Sequence, residues 1–84
     1  MSLAGLPNLG PTIVRRLEEV GIANRATLQR VGAADAYRRL SAAAGRALPL
    51  CYYLYSLEAA LQGRDWRALS DAEKDQLRRE ILDR

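Results

Sequence analysis

The 84 residues amount to one domain, 49% hydrophobic but without Phe and with one Trp and one Met, so Leu, Ala, Val, Ile and Tyr must build the core. His is absent and the lone Cys51 can form neither an internal disulfide nor a thiolate cluster, which removes the commonest general base and metal ligands and points to a cofactor-free, non-enzymatic, cytoplasmic domain. The net charge of +3 is uneven: residues 1–46 set seven arginines against Glu18, Glu19 and Asp35, a basic half that suits phosphate, an acidic partner or plain solvation.

No apolar run approaches the roughly 18 residues that span a bilayer, and the amino terminus lacks a basic segment followed by an apolar signal region. Met1-Ser2-Leu3 reads as a cloning remnant with no part in the fold. Gly5 to Gly10 reads as a turn, because Pro7 fixes its own backbone and Asn8 tolerates positive φ. Pro11 then takes a first helical position and opens a helix to about Val20. Ile13, Leu17 and Val20 share its core face, Arg15, Glu18 and Glu19 point away, and Gly21 stops it.

Between Ile22 and Gly32 there is room for a short helix, with Asn24 and Thr27 as candidate caps and Leu28 and Val31 as anchors. From Ala33 to about Ala44, helical spacing puts Ala36, Tyr37, Leu40 and either Ala43 or Ala44 inside, and Gly45 closes the helix. Pro49 opens the next, which runs to Gln62 before Gly63 with Leu50, Leu54, Leu57 and Leu61 as its main stripe. Tyr53, Ala60 and Cys51 flank the stripe; Tyr52, Tyr55, Ser56 and Ala59 lie behind it. Glu58 is the only charge in the segment, so this helix belongs at the centre of the bundle, and Tyr52 and Tyr55 are the candidates for contact with another chain, a second copy included.

Trp66 falls in the following connection among Arg64, Asp65 and Arg67, placed to cap the core, stack a guanidinium or anchor a partner. Ser70-Asp71-Ala72-Glu73 matches a capping box, Leu69 staples the entry, and Leu77, Ile81 and Leu82 supply the apolar face of the last helix. No repeat or low-complexity tract interrupts this order, and residues 1–84 read as a single all-α domain, a small bundle of about five helices.

Little in the chain can carry catalysis. Glu18, Glu19, Asp71, Glu73 and Asp75 come without a phosphate loop or metal triad and read as solvated partners of Arg15, Lys74, Arg78 and Arg79. Cys51, one turn into an apolar helix, reads as buried and inert. The turn at Leu6-Pro7-Asn8-Leu9-Gly10-Pro11 is the segment whose chemistry is most specific: backbone N–H groups and the dipole at the start of a helix favour an anion. That makes Asn8, Gly10, Thr12, Arg15 and Arg16 candidate phosphate or DNA contacts, beside Tyr52, Tyr55 and Trp66 as a candidate protein interface.

The same turn, continued through Thr12, Arg15, Arg16, Leu17 and Gly21-Ile22, resembles the helix-hairpin-helix motif of non-sequence-specific DNA-binding proteins, with Asn8-Leu9-Gly10 in the hairpin positions. Asn8 replaces the first glycine, Pro11 removes a donor and Thr12 stands where a Lys is often found. A resemblance over nearly the whole chain runs through Leu6-Pro-Asn-Leu-Gly-Pro11, Val20-Gly-Ile22, Thr27-Leu28, Val31-Gly-Ala33, Ala36-Tyr37, Leu57-Glu-Ala-Ala-Leu-Gln-Gly63, Trp66 and Leu69. It is to the carboxy-terminal domain of the TfoX/Sxy family of natural-competence regulators, which commonly join an amino-terminal domain to this helical one. The resemblance implies a non-enzymatic role in transcription regulation through protein contacts, with a protein or a separate amino-terminal-like domain as partner. Weak sequence-independent DNA binding through the hairpin and its arginines is the alternative.

Overall fold

A computed structural model describes residues 8–82 and, of Cys51, the backbone alone. The readings of Met1–Leu3, of the turn's opening at Gly5–Pro7 and of the Cys51 side chain lie outside what is described. Five α-helices follow in order: α1 (Pro11–Glu19), α2 (Arg25–Val31), α3 (Ala33–Ala44), α4 (Tyr55–Gln62) and α5 (Asp71–Leu82). A wide π-helical turn, Leu50–Leu54, leads into α4, and a 3-10 turn, Trp66–Ala68, precedes α5. The described residues form no strand, and the chain is an all-α bundle.

Each boundary has a local cause. Pro11 occupies the start of α1, where a missing N–H costs nothing, and the Gly10 carbonyl accepts from the Val14 N–H at 3.0 Å. After α1 the chain doubles back, with the Ile22 N–H donating to the Leu17 carbonyl at 2.8 Å, so that Ile13, Leu17 and Ile22 are all buried. Asn24 caps α2 by accepting from the Thr27 N–H at 2.8 Å; Thr27 is the donor in that pair. Gly32 both ends α2 and begins α3: its N–H donates to Leu28 and its carbonyl accepts from Ala36.

The core collects Leu9, Ile13, Leu17, Ile22, Leu28, Ala36, Tyr37 and Leu40 from the first half of the chain around Leu54, Leu57, Ala59 and Ala60 from the second. In α3 the open choice between alanines resolves to Ala44, which is half-buried while Ala43 is exposed. The α4 segment is central: from Tyr53 to Ala60 only Glu58 escapes burial. Its entry departs from the expected regular helix, because the Tyr55 N–H reaches back five residues to the Leu50 carbonyl.

In α5 the capping box forms in both directions, the Glu73 N–H donating to Ser70 Oγ at 3.1 Å and the Ser70 N–H to Glu73 Oε1 at 3.0 Å. Leu77 is buried and Ile81 half-buried, whereas Leu82, expected on the same face, is 79% exposed. The reason is angular: Ile81 follows Leu77 by four residues and stays in line with it, while one further residue rotates Leu82 by about 100° out of the contact.

Candidate interaction surface

The wide turn before α4 sets Tyr52 outward and Tyr53 inward. Tyr52 is 51% exposed, and its ring meets the buried Tyr53 ring edge-on, with centroids 5.0 Å apart. Across from it stands Trp66, half-buried and packed against the core. A groove of about 290 Å³ lies between them, lined by Asn8, Tyr52, Ser56 and Trp66.

The Trp66 turn is held from both ends. Asp65 caps it, accepting from the Arg67 N–H at 2.8 Å, and the Arg67 guanidinium pairs with the same carboxylate at 2.9 Å, which lowers the Asp65 pKa to about 2. Arg64 joins the turn to α5 through its pair with Glu73 at 2.9 Å and donates to the Ala68 carbonyl. Asn8 arrives from the other end of the chain: its Nδ2 donates to the Arg64 carbonyl at 2.6 Å, and its Oδ1 accepts from the Trp66 N–H at 3.2 Å.

Of the three aromatic residues expected at an interface, Tyr52 and Trp66 therefore share one surface, and Tyr55 is elsewhere. Tyr55 is 3% exposed: α5 covers it, with Arg78 donating to its hydroxyl at 3.3 Å and the Lys74 ammonium 5.6 Å from its ring centroid. A position behind the leucine stripe became a core position because α4 is enclosed on that side too.

Asn8 and Arg15, both candidate phosphate contacts, line different grooves. The Asn8 amide is turned to the Trp66 site, and Gly10 serves as the extended residue before α1. Thr12 and Arg15 are exposed and Arg16 half-buried, and neither arginine forms an ion pair among the described residues. Arg15 lines a separate groove of about 360 Å³ with Leu9, Pro11, Val14 and Glu18. Pro11 gives that helix entrance no N–H at its first position.

Sequence reasoning missed Ser56 and Arg64. On the helical wheel Ser56 is only a residue behind the stripe, and Arg64 in the sequence is only a neighbour of Trp66; nothing local signals that the Arg64 backbone meets Asn8. Among the described residues no group of three or more Asp, Glu or Cys is placed to hold a metal ion, and no helix is long and apolar enough to cross a membrane.

Two solved structures from Listeria monocytogenes are similar to this chain in fold. An uncharacterized protein in a triclinic crystal form is 30% identical, with a TM-score of 0.85 over 99% of this chain and 92% of the other. A protein of unknown function in a tetragonal form is 31% identical, with a TM-score of 0.83 over 96% of each chain. No curated protein matches. The family model of the TfoX C-terminal domain matches residues 1–81, and the chain accordingly belongs to the TfoX C-terminal domain family.

Proposed function

We propose that this domain is a non-enzymatic, cytoplasmic interaction module that acts through protein contacts in transcription regulation linked to natural competence, with the Tyr52–Trp66 groove as its contact surface. The observation that carries this reading is Tyr52: among the described large apolar residues only it and Leu82 are exposed, and Tyr52 alone faces a second aromatic side chain across a groove. Aromatic residues with a polar tip dominate the energetics of protein interfaces, since they bury a large area while keeping a hydrogen-bonding handle. A protein partner, a separate domain like the amino-terminal one of TfoX, or a second copy would each cover that surface.

A photo-reactive phenylalanine analogue at Tyr52 tests it. A discrete cross-linked protein is expected in cells, lost on Trp66→Ala and absent when the probe stands at the exposed Gln29 instead. A cross-link indifferent to Trp66 overturns the reading.

DNA is the second reading, supported by Arg15 and Arg16 standing without ion pairs among the described residues on a helix that starts at the hairpin. Its contacts would be Gly10, Thr12, Arg15 and Arg16, with Asn8 reaching phosphate only by giving up its bonds to Arg64 and Trp66.

A further inference from the structure

Asn8 is the single non-glycine residue with positive φ, +68°, among those described. Asn is among the side chains that tolerate this left-handed backbone, and both bonds of its amide lead to the same place. Its side-chain amide donates to one carbonyl, that of Arg64, and accepts from the N–H two residues on, that of Trp66. That is the pattern the N–H and C=O of a single residue in an adjacent parallel strand would make. The next residue, Leu9, is buried in the core, so the chain entry is pinned on either side of one Cα–Cα step.

We propose that Asn8 is the positioning residue of the Tyr52–Trp66 surface, a latch whose amide fixes the Trp66 turn to the amino-terminal entry so that the groove keeps its shape only while that entry is seated. The consequence is reciprocal. Whatever draws the entry away releases Trp66, and whatever fills the groove tightens the entry, because the two sites share one pair of hydrogen bonds. The functional weight of the latch rests on the groove being the contact surface; the latch itself does not.

Trp66 is the sole Trp, so its emission reports on this turn alone. In the full chain Asn8→Gly keeps the left-handed backbone and removes both bonds, and Asn8→Asp keeps the acceptor but sets a carboxylate against the Arg64 carbonyl. Acrylamide quenching of Trp66 is expected to rise about two-fold in both while the far-ultraviolet helical signal is kept. In the unaltered chain the Trp66 amide is expected to exchange its hydrogen at least about ten-fold more slowly than an open loop amide. Unchanged quenching in folded Asn8→Gly, or exchange at the open rate in the unaltered chain, overturns the latch and leaves the contact surface standing. Raised quenching together with a Tyr52 cross-link indifferent to Trp66→Ala leaves the latch and removes its role in recognition.

Discussion

The Tyr37 hydroxyl donates to the Leu48 carbonyl inside the core and thereby ties α3 to the connection that precedes the wide turn. The same connection is held a second time, where the Leu48 N–H donates to Ser41 Oγ at 3.3 Å. Tyr37→Phe keeps the ring and leaves a buried carbonyl without its donor, so a loss of about 1.5 kcal/mol is expected in urea unfolding. Ser41→Ala, which removes the weaker and less buried bond, should cost less.

Tyr52 and Tyr55 are three residues apart and should behave oppositely. Tyr55→Ala empties a space enclosed by α5 and is expected to cost about 3 kcal/mol. Tyr52→Ala, at a half-exposed ring, should stay within about 0.5 kcal/mol of the unaltered chain while abolishing partner capture. Equal destabilisation by the two would mean that Tyr52 is a core residue after all.

Glu73 links stability to pH. The Ser70 N–H and the Arg64 guanidinium lower its pKa from an ordinary 4.5 to about 2. The unfolded chain therefore takes up this proton first as acid is added, and the stabilisation is complete above pH 4.5 and lost as pH falls toward 2. Glu73→Gln should reduce the slope of the stability profile across that window, leaving the part that belongs to Asp65, as followed by thermal melts at stepped pH. Ser70→Ala, which removes one half of the capping box, should cost about 1 kcal/mol at neutral pH.

Two glycines separate backbone geometry from crowding, since a Cβ at either would meet nothing within 4 Å. Gly45, at φ 72° and ψ 19°, is in the left-handed helical region that Asn tolerates, and Gly45→Asn should be nearly neutral. Gly32, at φ 88° and ψ 155°, is in a region that side chains avoid, and Gly32→Asn should cost about 2 kcal/mol. Matching denaturation midpoints for the two variants would contradict this ordering.

Labelled duplex DNA discriminates the two functional readings. At low salt no saturable complex is expected if the Tyr52–Trp66 surface is the functional one. A complex that weakens steeply with salt, ignores sequence and disappears in Arg15→Ala with Arg16→Ala would establish the hairpin as a phosphate site instead.

Most of the fold was legible because its boundaries are written locally. Pro11, Asn24, Gly32, Gly45 and the Ser70–Glu73 box each fix a helix end by their own chemistry, and the expected limits of α3 coincide with the observed Ala33–Ala44. The wide turn at Leu50–Leu54 carries no such mark, since an apolar run gives the same periodic signal whether a turn holds four residues or five. The surface was half legible. Tyr52 and Tyr55 both lie behind the leucine stripe on a helical wheel, yet Tyr52 is exposed and Tyr55 buried, and the union of Asn8 with Trp66 spans 58 residues and has no local pattern. The arginines of the basic half are visible in the sequence; that the Asn8 amide is engaged by Arg64 and Trp66 is a matter of how the bundle closes.

The one-residue joint at Gly32 also bears on how relatives of this domain can differ in length. With one residue serving as the end of α2 and the start of α3, there is no slack in which an inserted residue could be hidden, and an addition would turn one whole helix against the core. The connection from Gly45 to Pro49 has several residues between its neighbours and can lengthen without that rotation. Length variation in this fold should therefore gather after α3, and α2 with α3 should be inherited as one elbow.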